Sequence, residues 1–138
     1  MKVFLDTNIL LDVLVERDNK EFTENATMIL GLGSNRVLDL YMSVLSVTII
    51  AYVLRNMTAV KKKGIIKDLV SIVKVLPFLP EHVENMLECQ MNDIEDAMQV
   101  QSAKEGQCDV IVTRNTTDFR DAGLLVISPE EFLKKIIR

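Results

Sequence analysis

The feature that most constrains the fold is an alternation of short apolar runs with longer segments of helical periodicity. The first run, KVFL at residues 2–5, is short and continuous, as expected for a strand that is buried on both faces of a sheet. Further strands are predicted at VLDLYMS (37–43), CDVIVT (108–113) and LLVIS (124–128). The segment VLPFLP (75–80) contains two prolines and is predicted to be a short strand or a turn.

Helices are predicted between these strands. They cover residues 7–17, 21–32, 47–57, 61–76, 81–89, 92–106 and 129–137. In the helix 92–106, Asn92 is a candidate N-cap with Glu95 as its reciprocal partner, and Gly106 ends the helix. Strands separated by helices predict an α/β fold with a mainly parallel central sheet. The length of 138 residues is enough for one domain, which we expect to span 1–138.

Charge and composition exclude several classes of protein. The net charge of −4 and the pI of about 5.0 argue against a protein that holds polyanions by diffuse positive charge. A nucleic-acid enzyme remains open, because a bound divalent cation can neutralise a phosphate locally. Cys89 and Cys108 lie far apart without CxxC spacing, and His82 is the only histidine. A zinc site or a disulfide framework is therefore not expected.

The sequence predicts neither a secretory nor a membrane segment. Only three apolar residues separate Lys2 from Asp6, which is too few for the core of a signal peptide. The longest apolar stretch, at 40–54, has 15 residues and falls short of the roughly 20 that span a bilayer. We expect a soluble, cytoplasmic protein that makes no membrane contact.

Polar residues follow two of the predicted strands, and functional groups gather at the carboxyl ends of parallel strands. Asp6 comes directly after the first strand, where the alternative role is to cap the next helix. Thr113, Asn115 and Asp118 lie in or just after a later strand, where the alternative is a plain Asx turn.

Asp96 is an acid in an unexpected place on its helix. On a helical wheel it lies between Val100 and Ala103, so it interrupts the stripe that faces the core. An unpaired buried carboxylate is costly, and the alternative is an ion pair or a hydrogen bond to the backbone. Asp93 lies near the same face in the first turn, where an acid suits the helix dipole. The residues predicted to point away are Glu95, Gln99 and Ser102.

One explanation covers all of these acids. Asp6, Asp96 and Asp118, with Asn115, are predicted to converge on one divalent cation. Oxygen ligands suit Mg²⁺ or Mn²⁺, and such a site would serve the hydrolysis of a phosphodiester.

The motifs taken together resemble a known family. The chain is similar to PIN-domain proteins, of the kind found as the VapC-like ribonuclease toxin of bacterial toxin–antitoxin pairs. The matching segments, which cover nearly the whole chain, are FLDTNILLDVL, SVLSVTIIAYVLR, DIEDAMQ, DVIVTRNTTDF and VISPEEFL. The resemblance implies a three-layer α/β/α fold and cleavage of single-stranded RNA that depends on Mg²⁺ or Mn²⁺. It also implies a homodimer that is blocked by a cognate antitoxin protein.

The resemblance further implies roles for individual residues. The family's acids are matched by Asp6, Asp96 and Asp118. Asn115 stands where a further acid is common, and Asn8 and Thr113 match polar residues that often support the site. The family usually carries a glutamate early in the helix after the second strand, and that position falls on Ile49, with Thr48 beside it.

Two hypotheses follow for the function. The three aspartates favour a metal-dependent endoribonuclease, for which Arg114 and Arg120 are candidate phosphate contacts. Ile49 and Asn115, in place of acids, favour a PIN-fold protein with little or no catalysis that binds RNA or a protein partner. A phosphotransfer enzyme like the haloacid dehalogenases is disfavoured, because that chemistry needs a second aspartate where Asn8 stands.

Overall fold

A five-stranded parallel sheet forms the centre of the computed structural model, which describes residues 1–15, 17 and 19–136. The strands are β1 (Lys2–Leu5), β2 (Asp39–Ser43), β3 (Val73–Leu76), β4 (Val110–Val112) and β5 (Leu125–Ile127). Their order across the sheet is β3-β2-β1-β4-β5, and every neighbouring pair is parallel. Val3 of β1 lies opposite Leu40 of β2 and Val110 of β4. The predicted parallel sheet is therefore confirmed.

Helices connect the strands. They are α1 (Thr7–Leu14), α2 (Lys20–Ser34), α3 (Val44–Val53), α4 (Ala59–Val70), α5 (Pro80–Glu88), α6 (Ile94–Glu105) and α7 (Pro129–Ile136), with a 3₁₀ helix at Thr116–Phe119. Each predicted helix is present, although the first ends earlier than predicted, at Leu14. Residues 16 and 137, which were also predicted to be helical, lie outside the described residues. None of the helices in the described part of the chain is long and apolar enough to cross a membrane.

The helix predicted at 61–76 is correct up to residue 70 and wrong for residues 71–76. The helix ends at Val70, and the chain from Val73 onward forms β3. Its residues pair with β2, with Val73 opposite Leu40. The apolar spacing of this segment suits either structure, and the pairing with β2 decides between them.

Alternate residues of the central strands face two different cores, as the pleat of a strand requires. Val3 and Leu5 of β1 belong to a large core with buried residues of α1, α2, α3, α4 and α7. Phe4 belongs to a second core with Val100 and Ala103 of α6 and Phe119 of the 3₁₀ helix. The sheet thus lies between two helical layers, which confirms the predicted three-layer α/β/α arrangement.

The parallel sheet brings all strand carboxyl ends to one edge. Asp6 follows β1, Ser43 ends β2 and Thr113 follows β4. Because α6 runs back across the sheet before β4 begins, its first turn, with Asp93 and Asp96, lies at the same edge. Polar residues that the sequence analysis predicts as candidates for a cation site therefore lie at this edge.

Candidate metal centre

Asp6 is a buried carboxylate at the middle of this edge, with 4% of its surface exposed. Its backbone N–H donates to the carbonyl of Val112 at 3.1 Å, which ties it to the end of β4. Its Oδ2 accepts a hydrogen bond from the Thr113 hydroxyl at 2.8 Å. Burial raises the pKa of Asp6, and the hydrogen bond from Thr113 partly offsets that rise. Asp6 occupies the N-cap position of α1, but the hydrogen bond that fixes its side chain comes from Thr113 on the neighbouring strand end, so capping alone does not explain this acid.

Asn115 and Asp118 lie on the loop that follows β4. The N–H of Asn115 donates to the Thr113 hydroxyl at 3.1 Å, and the N–H of Asp118 donates to the Asn115 carbonyl at 3.0 Å. Phe119 is fully buried and anchors the loop, as the sequence predicts. The side chains of Asn115 and Asp118 are exposed. Thr113 thus links the loop to Asp6 through one hydroxyl group.

Asp96 lies in the first turn of α6 and is half-buried, beside fully or nearly fully buried positions that include Val100 and Ala103. Its pKa is raised to about 7. Burial is the largest cause, and the carboxylates that add to it, in decreasing order, are Asp93, Asp6, Asp118 and Glu95. Asp6 and Asp118 come from two other parts of the chain, so the fold brings all three predicted acids into one negative field.

The start of α6 differs from the prediction. The N-cap is Asp93 and not Asn92, because the Asp93 carboxylate accepts the N–H of Asp96 at 2.9 Å. Glu95 was predicted to point away from the stripe that faces the core, and its side chain is exposed. Burial, followed by the charges of Asp93 and Asp6, nevertheless raises its pKa.

Gln99 and Ser102 were predicted to point away from the core with Glu95, but both are fully buried. The prediction was wrong because α6 packs against both the sheet and α5, which leaves little of its middle exposed. The spacing gives one indication of this burial. Gln99 and Ser102 lie one and two turns after Asp96, near the helix face that the sequence predicts to meet the core, on a helix with few apolar residues to fill that face.

A buried polar network lies beside the acids. The Gln99 side chain donates to Thr7 Oγ1 at 2.8 Å and accepts from the Ser43 hydroxyl at 2.5 Å. The hydroxyls of Thr7 and Ser46 are 2.7 Å apart, and Ser46 Oγ lies 3.5 Å from Gln99 Nε2. Sequence reasoning missed this cluster, which joins α1, β2, α3 and α6.

The two candidate phosphate contacts have different environments. Arg114 donates twice to Asp12, at 2.9 and 3.2 Å, and its guanidinium lies 4.1 Å from the centre of the Phe22 ring. Asp12 is 1% exposed, so Arg114 is committed to a buried pair that braces the loop against α1 and α2. Arg120 is exposed and lines a cavity of about 190 Å³ together with Asp118.

Comparison with known proteins decides the family. A family model described as "PIN domain" matches residues 2–117. Ribonuclease VapC1 from Aquifex aeolicus (strain VF5) is 31% identical over 140 residues, which covers 97% of this chain and 94% of that protein. The chain belongs to the PIN-domain family.

Solved structures agree with this PIN-domain assignment at the level of the fold. The structure of FitAB bound to the IR36 DNA fragment has a TM-score of 0.71 and 18% identity, covering 92% of this chain and 94% of that chain. DNA-bound VapBC from Salmonella typhimurium has a TM-score of 0.69 and 17% identity, covering 94% and 98%. The resemblance that the motifs predict is therefore confirmed.

On α3, the position at which the resemblance implies a glutamate is occupied by Ile49. Ile49 is half-buried and packs against the large core. Thr48 is exposed, and its hydroxyl donates to the Leu45 carbonyl at 2.7 Å. Neither residue supplies a carboxylate to the site. Asn8, the other predicted supporting residue, is half-buried in the first turn of α1.

The donor chemistry of the site fits a hard divalent cation. Carboxylate oxygens and the side-chain carbonyl of Asn115 are the ligands that Mg²⁺ and Mn²⁺ prefer. A cation would also relieve the repulsion that, after burial, adds to the rise in the pKa of Asp96. Among the residues that the structure describes, no three acidic, histidine or cysteine side chains are close enough to chelate an ion directly. Direct ligation would therefore come from fewer than three of these side chains, and water would complete the coordination, as is common for Mg²⁺.

Proposed function

We propose that this PIN domain is a metal-dependent endoribonuclease that cleaves single-stranded RNA, and that it is the toxin of a toxin–antitoxin pair. The observation that carries the proposal is that Asp6 and Asp118, from two other parts of the chain, lie close enough to Asp96 for their charges to add to the rise of its pKa to about 7, of which burial is the largest cause and Asp93 the next. Similarity to a protein named ribonuclease VapC1 supports the RNA substrate.

The three aspartates would hold the cation, directly or through water, with the side-chain carbonyl of Asn115 as a further ligand. PIN-domain ribonucleases of the VapC kind are generally dependent on a divalent metal, and the oxygen donors here favour Mg²⁺ or Mn²⁺. When bound, the cation supplies a Lewis acid that polarises the phosphate and lowers the pKa of water. The proposed catalytic residues are Asp6, Asp96 and Asp118.

Neighbouring residues orient these acids and the substrate. Thr113 fixes the orientation of the Asp6 carboxylate by donating a hydrogen bond from its hydroxyl to Oδ2. Asp93 fixes the first turn of α6 and so the backbone of Asp96. Arg120 is the better placed phosphate contact, because its side chain is exposed beside Asp118, whereas Arg114 is engaged by Asp12.

A cognate antitoxin and a second copy of this chain are the proposed protein partners. Support comes from the fold, which matches complexes named FitAB and VapBC. Exposed apolar side chains on α3 and α5, among them Tyr52 and Leu87, offer surface for such contacts.

A PIN-fold protein with weak or absent catalysis is the second candidate. It is favoured by Ile49, an apolar residue where the family glutamate usually lies, and by Asn115 in place of an acid. Fewer negative charges hold a divalent cation less tightly.

Cleavage of a generic single-stranded RNA in the presence of Mn²⁺ tests the first candidate. The wild type should cleave, EDTA should stop the reaction, and Asp6→Asn should lower the rate at least 100-fold with the circular dichroism spectrum unchanged. The matched control is Asp39→Asn, an exposed acid at the opposite edge of the sheet, which should leave the rate unchanged. Intact RNA, with no Mn²⁺ binding by the wild type at millimolar metal, would establish the second candidate.

A further inference from the structure

The side chain of Gln99 joins two parts of the fold that make little other contact. Over the residues that the structure describes, α1 and α6 do not pack extensively against each other. Gln99 on α6 is fully buried, and its Nε2 donates to Thr7 Oγ1 on α1 at 2.8 Å. Thr7 is the residue after Asp6, and Gln99 lies one helical turn after Asp96.

The same amide also reaches the second strand and the third helix. Its Oε1 accepts the Ser43 hydroxyl at 2.5 Å, and its Nε2 lies 3.5 Å from Ser46 Oγ. The Ser43 oxygen in turn accepts the N–H of Ser46 at 3.3 Å, and Ser46 pairs with Thr7 at 2.7 Å. A glutamine amide provides two donors and an acceptor, so both ends of the side chain are used.

Each polar group of this buried network has a partner. A shift of α1 against α6 would leave a donor or an acceptor unpaired, which is costly away from water, so the network favours one relative position of the two helices. The elements that Gln99 ties together carry Asp6 and Asp96, two of the proposed ligands. We propose that Gln99 is a positioning residue, which sets the distance between Asp6 and Asp96 and thereby the affinity of the site for a divalent cation. This inference rests on the proposed function, and it concerns a residue that never touches the cation.

The experiment compares Gln99→Met with Gln101→Met. Both residues are buried glutamines of α6, at 0% and 7% exposure, and Gln101 lies beside His82 and Asn85 of α5, on another side of the helix. Calorimetric titration with MnCl₂ measures binding by the folded protein, and urea unfolding measures stability separately. Gln99→Met should weaken Mn²⁺ binding at least tenfold, and Gln101→Met should stay within twofold of the wild type, although both variants lose stability.

A conservative variant adds a readout that a purely structural role would not move. Gln99→Glu keeps the length and the acceptor for Ser43, and the Thr7 hydroxyl can rotate to donate to it while accepting from Ser46. Because the added charge attracts a cation by itself, Gln101→Glu is its control: Gln99→Glu should bind Mn²⁺ at least tenfold more tightly than Gln99→Met, whereas Gln101→Glu should stay within threefold of Gln101→Met. Should Gln99→Met fail to fold, Ser46→Ala removes only part of the network and should weaken Mn²⁺ binding two- to fivefold.

The outcomes separate the two proposals. A wild type that binds no Mn²⁺ overturns the proposed function, and this inference with it. A wild type that binds Mn²⁺, beside a Gln99→Met variant that binds it equally well, overturns only the positioning role. Equal weakening by Gln101→Met also overturns it, because the effect would then reflect general loosening of α6.

Discussion

The carboxylate of Asp96 should lower the free energy of unfolding when no cation is bound. The variant Asp96→Asn, which removes its charge, measures by how much. The pKa of Asp96 is about 7 in the folded protein and 3.8 ordinarily. The unfolded chain therefore loses this proton near pH 4, whereas the folded chain keeps it until near pH 7. Stability of the metal-free protein falls as the pH rises through this window, and it levels off above pH 7.

The size of the effect follows from the same shift. Moving a pKa from 3.8 to about 7 corresponds to at most about 4 kcal/mol. Asp96 is only half-buried, so solvent screening reduces the expected cost to about 1–2 kcal/mol. Asparagine is nearly isosteric and keeps the backbone N–H that donates to Asp93, so the helix cap survives. Asp96→Asn should therefore stabilise the metal-free protein by about 1–2 kcal/mol at pH 8 and by much less at pH 4.5.

Urea unfolding in EDTA, at both pH values, provides the assay. Asp39→Asn removes an exposed acid at the far edge of the sheet and should change stability by less than about 0.5 kcal/mol. The reasoning is refuted if Asp96→Asn destabilises the metal-free protein at pH 8, because the carboxylates would then not repel one another. The same variant should lose Mn²⁺ binding, so its gain in stability accompanies a loss of function.

Three further predictions follow from the site. The Mn²⁺ association constant, measured by calorimetry, should rise about tenfold per pH unit below pH 7 and level off above it, because Asp96 must lose its proton to bind; a flat profile between pH 6 and 8 would contradict this. Asp12→Asn should lower the free energy of unfolding in urea by about 2–3 kcal/mol, because it removes the buried charge that pairs with Arg114 and leaves one acceptor oxygen in place of two; a loss below about 1 kcal/mol would show that the pair matters little. Ile49→Glu should tighten Mn²⁺ binding several-fold while costing about 1–2 kcal/mol of stability, since it places a charge in a half-buried position; unchanged binding would show that this position does not reach the site.

The local pattern of apolar residues was sufficient to predict most of the strands and helices. The strand at residues 2–5 is a continuous apolar run bounded by Asp6, and nothing else in the vicinity competes with that interpretation. The segment 75–80 was predicted to be a short strand or a turn, but the start of the third strand could not be separated from the preceding helix, since the apolar residues around Val73 fit both periods. Only pairing with Leu40, more than thirty residues away along the chain, makes that segment extended.

Sequence reasoning found the acids of the candidate site because each stands where a local pattern does not call for an acid. It did not find the residues that position them. Asn92 and Asp93 are adjacent and both suit an N-cap, so sequence pattern alone cannot choose between them. Gln99 appeared to be a surface residue, because its neighbours on the helical wheel are polar. Its partners Thr7 and Ser43 come from remote parts of the chain, and only the fold brings them together.

Diffraction from crystals grown or soaked in Mn²⁺, with anomalous scattering used to locate the metal, tests the central claim most directly. The account predicts an anomalous peak within direct or single-water reach of the carboxylates of Asp6, Asp96 and Asp118, and its absence in Asp96→Asn crystals. Crystals that hold millimolar Mn²⁺ without a peak among these three side chains would contradict it.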